Sequence, residues 1–240
     1  MRAYCLIRDH PVYRRSAFTD GLQAVGYKLT EHTGFVRGHE EDVLVIWNRY
    51  GSMHEVAVRF ERAGGRVLVA ENGYVGNDRG NRTVYAIARD GHNGSGWWFI
   101  GAAERWDALH VNVAPYRKQG DHILVCPNRS FGMPGFVMPY GWAEDVARRL
   151  KRYTQRPIRI RPHPGNDEPK VTLARDLENA WAVVIWASSA GCEALLRGVP
   201  VFSEAPWWVA GGAAERDLST IDAPRWLDRR EAFVKLARAQ

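Results

Sequence analysis

The sequence predicts an α/β protein made of two doubly wound, Rossmann-like parallel sheets that face each other across a cleft. Three observations lead there. Short apolar runs alternate with segments of helical period. The strand-like runs are apolar almost throughout, which strands covered on both faces require. The alternation also occurs twice, on either side of a Gly-, Asn- and Trp-rich stretch, in a chain of 240 residues. That length suits two domains of roughly 100 to 150 residues each.

In the first half, Ala3–Ile7 reads as a strand, Ser16–Val25 as a helix closed by Gly26, and Asp42–Trp47 as a buried strand. Met53–Ala63 repeats apolar residues at helical spacing, Gly64-Gly65 stops it, and Arg66–Ala70 is the next buried strand. Asn72 to Gly120 breaks the pattern, and Pro115 with the polar Arg117-Lys118-Gln119-Gly120 marks a linker. The expected domains are therefore 1–118 and 119–240. The second begins with the strand His122–Cys126, followed by an amphipathic helix Trp142–Tyr153, a strand Ile158–Arg161 and a helix Leu173–Asn179. Ala182–Trp186 is a strand entering a helix at Ser188 or Ser189; Gly198–Phe202 closes with a short strand, and Arg229–Ala239 is the last helix.

Composition removes several classes. With 45% hydrophobic and 25% charged residues, the chain is neither disordered nor fibrous. Cys5, Cys126 and Cys192 are too far apart for a disulfide framework or a zinc knuckle, so a reducing, cytoplasmic setting is expected. No run approaches about 18 apolar residues, so no membrane span is expected. The net charge of +6 favours a polyanionic partner or an anionic substrate, and ten tryptophans leave some rings for stacking beyond those a core needs. Walker A, G-x-G-x-x-G, G-x-S-x-G and H-E-x-x-H patterns are all absent from the sequence.

Ligands of open α/β sheets collect at the carboxyl ends of strands, where loops and helix starts present unpaired N–H groups. Candidate chemistry is therefore sought there. After Ala182–Trp186, the run Ser188-Ser189-Ala190-Gly191 delivers two hydroxyls and a small residue to a helix start, which suits a phosphate; an ordinary Ser cap is the plainer alternative. Two prolines fix His163 in Arg161-Pro162-His163-Pro164-Gly165, so Arg161 and His163 can neutralise a diphosphate. Arg129, after His122–Cys126, is a further phosphate candidate. In the first half, Glu71 ends a strand just before a turn and can act as a general base if desolvated. His92 sits in a glycine-rich loop with Trp97 and Trp98, whose rings can stack on a sugar or base. Trp47-Asn48-Arg49-Tyr50-Gly51, at another strand end, can complete an acceptor wall; a helix-entry turn is the plainer alternative.

Taken together, Arg161-Pro162-His163-Pro164-Gly165, Ser188-Ser189-Ala190-Gly191-Cys192-Glu193 and Gly198-Val199-Pro200-Val201 resemble the donor half of GT-B-fold glycosyltransferases. Capsule-type Kdo and related polysaccharide transferases, and small glycosyltransferase-like proteins of bacteriophage genomes, are the nearest likenesses. Glu71-Asn72-Gly73-Tyr74 resembles the Glu-Asp-Gly-Phe element of the capsule enzymes, with Asn72 standing where they carry Asp, so one carboxylate is missing. The phage-like resemblance extends to Trp47–Gly51 and His92–Gly96. What the resemblance implies is a GT-B architecture, a nucleotide-sugar co-substrate in the C-terminal half, an acceptor in the N-terminal half, no obligatory metal and no other cofactor. It also assigns Glu193 to the donor's ribose.

On that reading Arg129, Arg161, His163, Ser188, Ser189 and Gly191 hold the donor phosphates. Either Glu71 or His92 takes the acceptor proton while the other orients it, and Asn48, Arg49, Asn72, Trp97 and Trp98 face the acceptor. The basic, aromatic-rich surface and the phage likeness make a hydroxymethylated pyrimidine in DNA the first expected acceptor, modified in the host cytoplasm. The alternatives are a surface or lipid-linked saccharide acceptor, a nucleotide-sugar epimerase, and a non-catalytic nucleotide- or DNA-binding module.

Overall fold

The computed structural model describes residues 1–11, 13–31, 38–75, 84–98, 103–167 and 169–239, so part of the Gly/Asn/Trp-rich stretch lies outside the described residues. The first half runs β1 (Arg2–Cys5), α1 (Arg15–Ala24), β2 (Lys28–Leu29), β3 (Val43–Trp47), α2 (Gly51–Arg62), β4 (Arg66–Asn72), β5 (Tyr85–Arg89) and α3 (Glu104–Leu109). The second runs β6 (His122–Cys126), α4 (Trp142–Leu150), β7 (Ile158–Ile160), α5 (Leu173–Leu177), β8 (Ala180–Ile185), α6 (Ala190–Leu196), β9 (Val201–Ser203) and α7 (Arg230–Ala239), with short 3-10 turns at Gly211–Ala213 and Leu218–Thr220.

Two separate sheets result, with strand orders β2-β1-β3-β4-β5 and β7-β6-β8-β9. Every pairing is parallel except that of β4 with β5, an antiparallel edge strand that departs from the all-parallel expectation. Its residues alternate between covered and open, Ala86 and Ala88 inward and Ile87 and Arg89 outward, as an edge strand with one dry face should.

The continuous apolar strands are explained by what covers them. In the first sheet Ala3, Cys5, Val43 and Val45 pack under Phe18 and Leu22 of α1, while Tyr4, Leu44, Ile46, Val67 and Val69 pack under Ala57 and Phe60 of α2. The second sheet repeats this arrangement. Ile123, Val125, Ala182, Val184 and Phe202 lie against Trp142, Val146 and Leu150 of α4, and Leu124, Val183, Ile185 and Val201 lie against α6 and α7. A fully buried Phe60 or Phe202 contributes about 1.5–3 kcal/mol over an exposed one. The core beneath α6 and α7 also takes in Tyr74, Val75, Ala86 and Trp106 from the first half, and Trp106 stacks on Phe233 of α7 at 5.0 Å between ring centres, 8° from parallel.

In each sheet the chain winds outward in both directions from a central pair, β1 and β3 in one and β6 and β8 in the other. Those are the switch points at which α/β sheets open a crevice beyond the strand ends.

Candidate active site

A cleft of about 210 Å³ is lined almost entirely by residues that leave the carboxyl ends of parallel strands. Asn48 and Tyr50 follow β3, Glu71 and Asn72 end β4 with Gly73 and Tyr74 behind them, Asn128, Arg129 and Phe131 follow β6, His163 follows β7, and Ser188 and Ser189 follow β8. His92 and Asn93 come from the loop after β5. Backbone geometry selects some of these residue types. Asn48 (φ 53°) and Asn93 (φ 51°) are in the left-handed region, which Asn tolerates better than most side chains.

The His92 loop is docked rather than loose. The Asn93 amide N–H donates to Glu71 Oε1, and Asn93 Nδ2 donates to the Ala187 carbonyl. Gly94, at φ +87°, lies so close to the second half that a Cβ there would meet the Trp207 oxygen at 2.2 Å. The Ser95 hydroxyl closes the loop on itself, accepting from the His92 N–H at 3.1 Å and donating to the His92 carbonyl at 2.5 Å. Glycines fill this loop because its backbone packs against itself and its neighbours.

Glu71 is the central acid. Its Oε1 accepts from the Tyr74 hydroxyl as well as from Asn93, so Oε2 remains for a ligand. The residue keeps some surface open to the cleft, yet its carboxyl is enclosed by protein, and burial raises its pKa from 4.5 to about 7 against the opposing pull of those two hydrogen bonds. Burial beside the Glu71 carboxylate lifts the Tyr74 phenol well above its ordinary range, which keeps it a donor. His92 moves the other way: burial, helped by the Arg49 cation, lowers it from 6.5 to about 4. It is a neutral imidazole at pH 7, and its buried Nδ1 and the buried Asn93 Oδ1 have no hydrogen-bond partner among the described residues.

The opposite wall is polar and cationic. His163 Nδ1 accepts the Gly165 N–H at 2.9 Å, so the ring proton is on Nε2 and is available to an anion. Burial, with Arg129 nearby, lowers the pKa of His163. Arg129 itself donates to the Gly165 carbonyl at 3.3 Å and lies 4.3 Å over the Phe131 ring. Phe131 in turn sits 4.8 Å from Tyr50, which makes an aromatic rim bridging the two sheets. Asn128 Oδ1 accepts the Ala187 N–H at 2.9 Å and shapes the turn into α6, whose cap residue is Ser189. Ser188 Oγ accepts the Ala190 N–H at 3.2 Å. Tyr50 also belongs to a second cavity of about 480 Å³, lined by Arg8, Tyr13 and Trp47 among others.

Of the residues singled out by sequence, Asn48, Glu71, Asn72, His92, Arg129, His163, Ser188 and Ser189 meet in the cleft. Six others do not line it. Arg161 turns to Asp176 and the Val171 carbonyl, so its charge is already neutralised. Arg49 is 5% exposed and is spent on both carboxylate oxygens of Glu61 at 2.6 Å and on the Asp90 carbonyl, which ties α2 to the His92 loop. Glu193 pairs with Arg197 one turn along α6. Gly191 is small because Ile185 and Trp208 would meet a Cβ at 2.7 Å, a core constraint and not a phosphate approach. Trp97 is exposed beneath Arg89, and Trp98 donates to the Lys235 carbonyl at 3.0 Å. The rings that line the cleft with Tyr74 are Tyr50, which belongs to the Trp47–Gly51 run read as an acceptor wall, and Phe131; Phe131, Tyr74, Asn93 and Asn128 are not singled out by the sequence. Each lies within three residues of one that is, so the strand-end rule reaches the loops that line the cleft without resolving all of their side chains.

No group of three or more His, Cys, Asp or Glu side chains suited to a metal ion occurs among the described residues. Among them, too, no helix is long and apolar enough to cross a membrane.

No protein-family model and no curated protein matches the sequence. Two solved structures from Thermosulfurimonas dismutans do resemble the chain: a KpsC β-Kdo 2,7 transferase, with TM-score 0.59 and 14% sequence identity, and a KpsC β-Kdo 2,4 transferase, with TM-score 0.58 and 13% identity. Each comparison covers 99% of this chain and 90% of the other. The chain shares the fold of these transferases.

Proposed function

We propose that the chain is a glycosyltransferase that moves a sugar from a nucleotide-activated donor to a saccharide hydroxyl, with residues 1–118 and 119–240 acting as acceptor and donor domains of a GT-B arrangement. One observation carries this reading: an enclosed carboxyl with a pKa near 7 and an anion-seeking wall of Arg129, His163, Ser188 and Ser189 line the same cleft beyond the strand ends of both sheets.

Glycosyl transfer needs positive charge where the leaving phosphate develops negative charge, and a base where the acceptor hydroxyl loses its proton. Arg129 and the His163 Nε2–H answer the first need, with the Ser188 and Ser189 hydroxyls as further donors. Glu71 answers the second better than His92, because a base titrating near 7 is half ionised at neutral pH while retaining proton affinity, whereas one titrating near 4 has little. Neutral His92 on the cleft wall is then an orienting group for sugar hydroxyls, and Tyr74 and the Asn93 N–H hold Glu71 in place. The Tyr50–Phe131 rim and the cavity beyond Tyr50 suit the acceptor ring.

A surface-saccharide acceptor of the Kdo-transferase kind is favoured over hydroxymethylated DNA, because the two transferases that share the fold act, by name, on Kdo. The test is turnover of labelled nucleotide sugars with saccharide acceptors and with hydroxymethylated duplex DNA side by side. Transfer to saccharide, reduced 10² to 10⁴-fold by Glu71→Gln, is the expected result. Transfer to DNA alone would overturn the acceptor assignment, and full activity in Glu71→Gln would overturn the role of the base.

A further inference from the structure

Away from the cleft, a cavity of about 440 Å³ opens where the segment joining the two sheets passes the start of α7. Its inner lining is packed: Trp106 is buried and stacked on Phe233. Tyr116 is held twice, its hydroxyl donating to the Leu227 carbonyl at 3.0 Å and its ring lying 3.9 Å under the Arg229 guanidinium. Trp226 lies 6.5 Å from Tyr116, 16° from parallel, and is 54% exposed. An indole half open to water beside a fixed apolar wall contributes less to the core than its size allows and presents a ready stacking surface.

Cations surround that surface. Arg229 and Arg230 line the cavity, and the Lys118 ammonium lies 5.9 Å from the Trp226 ring centre. The one acid among the lining residues, Asp228, accepts the Arg230 backbone N–H at 2.9 Å at the start of α7. The Arg230 side chain is 66% exposed, and its contact with Asp107 at 3.8 Å is a loose surface pair of small worth.

We propose that this cavity is a second, non-catalytic binding site for an acidic saccharide chain, with the exposed Trp226 ring stacking on a sugar face, Tyr116 and Arg229, which donates to the Leu195 carbonyl at 2.7 Å, backing it, and Arg230 and Lys118 pairing with its carboxylates. The flat C–H face of a pyranose matches an indole, and a modest surplus of positive charge interrupted by Asp107 and Asp228 fits one carboxylate per sugar ring. A single-stranded nucleic acid, with a phosphate at every unit, calls instead for a continuous cationic track with successive stacking rings. The proposal rests on the transferase reading for the presence of a saccharide polymer and on this cavity alone for its geometry. Such a site would keep a long product attached while its growing end leaves and re-enters the cleft, a gain in effective concentration.

The test is direct binding of an oligogalacturonate, a neutral malto-oligosaccharide and an oligothymidylate to the intact chain, by calorimetry at fixed low salt. The oligogalacturonate is expected to bind saturably and more tightly than the other two, and Trp226→Ala and Arg230→Glu are each expected to weaken it at least about tenfold. Because Arg230 is a surface side chain, the second variant keeps the test decisive if the first perturbs packing. Unchanged affinity in Arg230→Glu, equal binding of the neutral chain, tighter binding of oligothymidylate, or no saturable binding each overturns the proposal. Sugar turnover alongside any of those results sinks this site alone; the predicted binding without turnover of any nucleotide sugar sinks the transferase reading alone.

Discussion

Replacing Glu71 by Gln is expected to stabilise the protein at alkaline pH, by an amount set by its surroundings. Gln Oε1 can keep both hydrogen bonds, from the Tyr74 hydroxyl and the Asn93 N–H, while the charge disappears. The folded carboxyl titrates near 7 and an unfolded one near 4.5, so between those values the native state holds a proton that the unfolded chain has released. This stabilisation is complete below about 4.5 and is lost as pH rises through about 7. At about 1.4 kcal/mol for each tenfold in proton affinity, the loss is about 3 kcal/mol. His92 works in the opposite sense: its pKa is lowered to about 4, so its contribution is present above about 6.5 and is lost as pH falls toward 4. Across the overlap the two slopes cancel, and the pH profile of the wild-type chain hides both. The difference between wild type and Glu71→Gln isolates the carboxyl. Urea unfolding at a series of pH values should give equal stabilities near pH 4.5 and a variant about 3 kcal/mol more stable at pH 8. A variant less stable than wild type at pH 8, or a difference that does not change with pH, would refute the enclosed-carboxyl account.

Other perturbations follow from the same geometry. The pH profile of kcat/KM should rise through a single limb near 7 as Glu71 ionises, with no limb near 6.5 from His92; a limb that persists in Glu71→Gln would count against the assignment. Gly94→Ala places a Cβ against the Trp207 oxygen at a positive φ and should cost at least about 2 kcal/mol, read as a fall in the urea midpoint, because a backbone group cannot swing aside. Arg49→Ala leaves Glu61 and the Asp90 carbonyl without their partner and should cost about 3 kcal/mol and loosen the His92 loop, seen as faster amide exchange at residues 90–95.

Where one face or both faces of an element had to be dry, the sequence was easy to read. Val43–Trp47, His122–Cys126 and Ala180–Ile185 are apolar almost throughout because helices cover both sides of each sheet. Lys28–Leu29 is too short to carry a period, Tyr85–Arg89 lies next to residues whose composition suggests a loop, and Glu104–Leu109 is a six-residue helix with no capping side chain. In the site, polar residues at strand ends were legible because topology alone puts them near a crevice. Arg161 and Arg49 were not, because their partners are distant in sequence: Asp176 takes Arg161 and Glu61 takes Arg49, and nothing in the neighbouring residues announces either pairing. Glu193 is different. Its partner Arg197 is four residues along, so that ion pair follows from helix spacing alone.

The most direct test of the donor site is equilibrium binding of a panel of nucleoside mono- and diphosphate sugars to the wild-type chain and to Arg129→Ala and His163→Ala, two side chains that touch the cleft without supporting the core. One donor should bind saturably, and each variant should weaken it about tenfold or more, the usual worth of a charge-assisted hydrogen bond to phosphate. Binding of that donor with undiminished affinity to both variants, or no binding of any donor, would contradict the donor-site assignment.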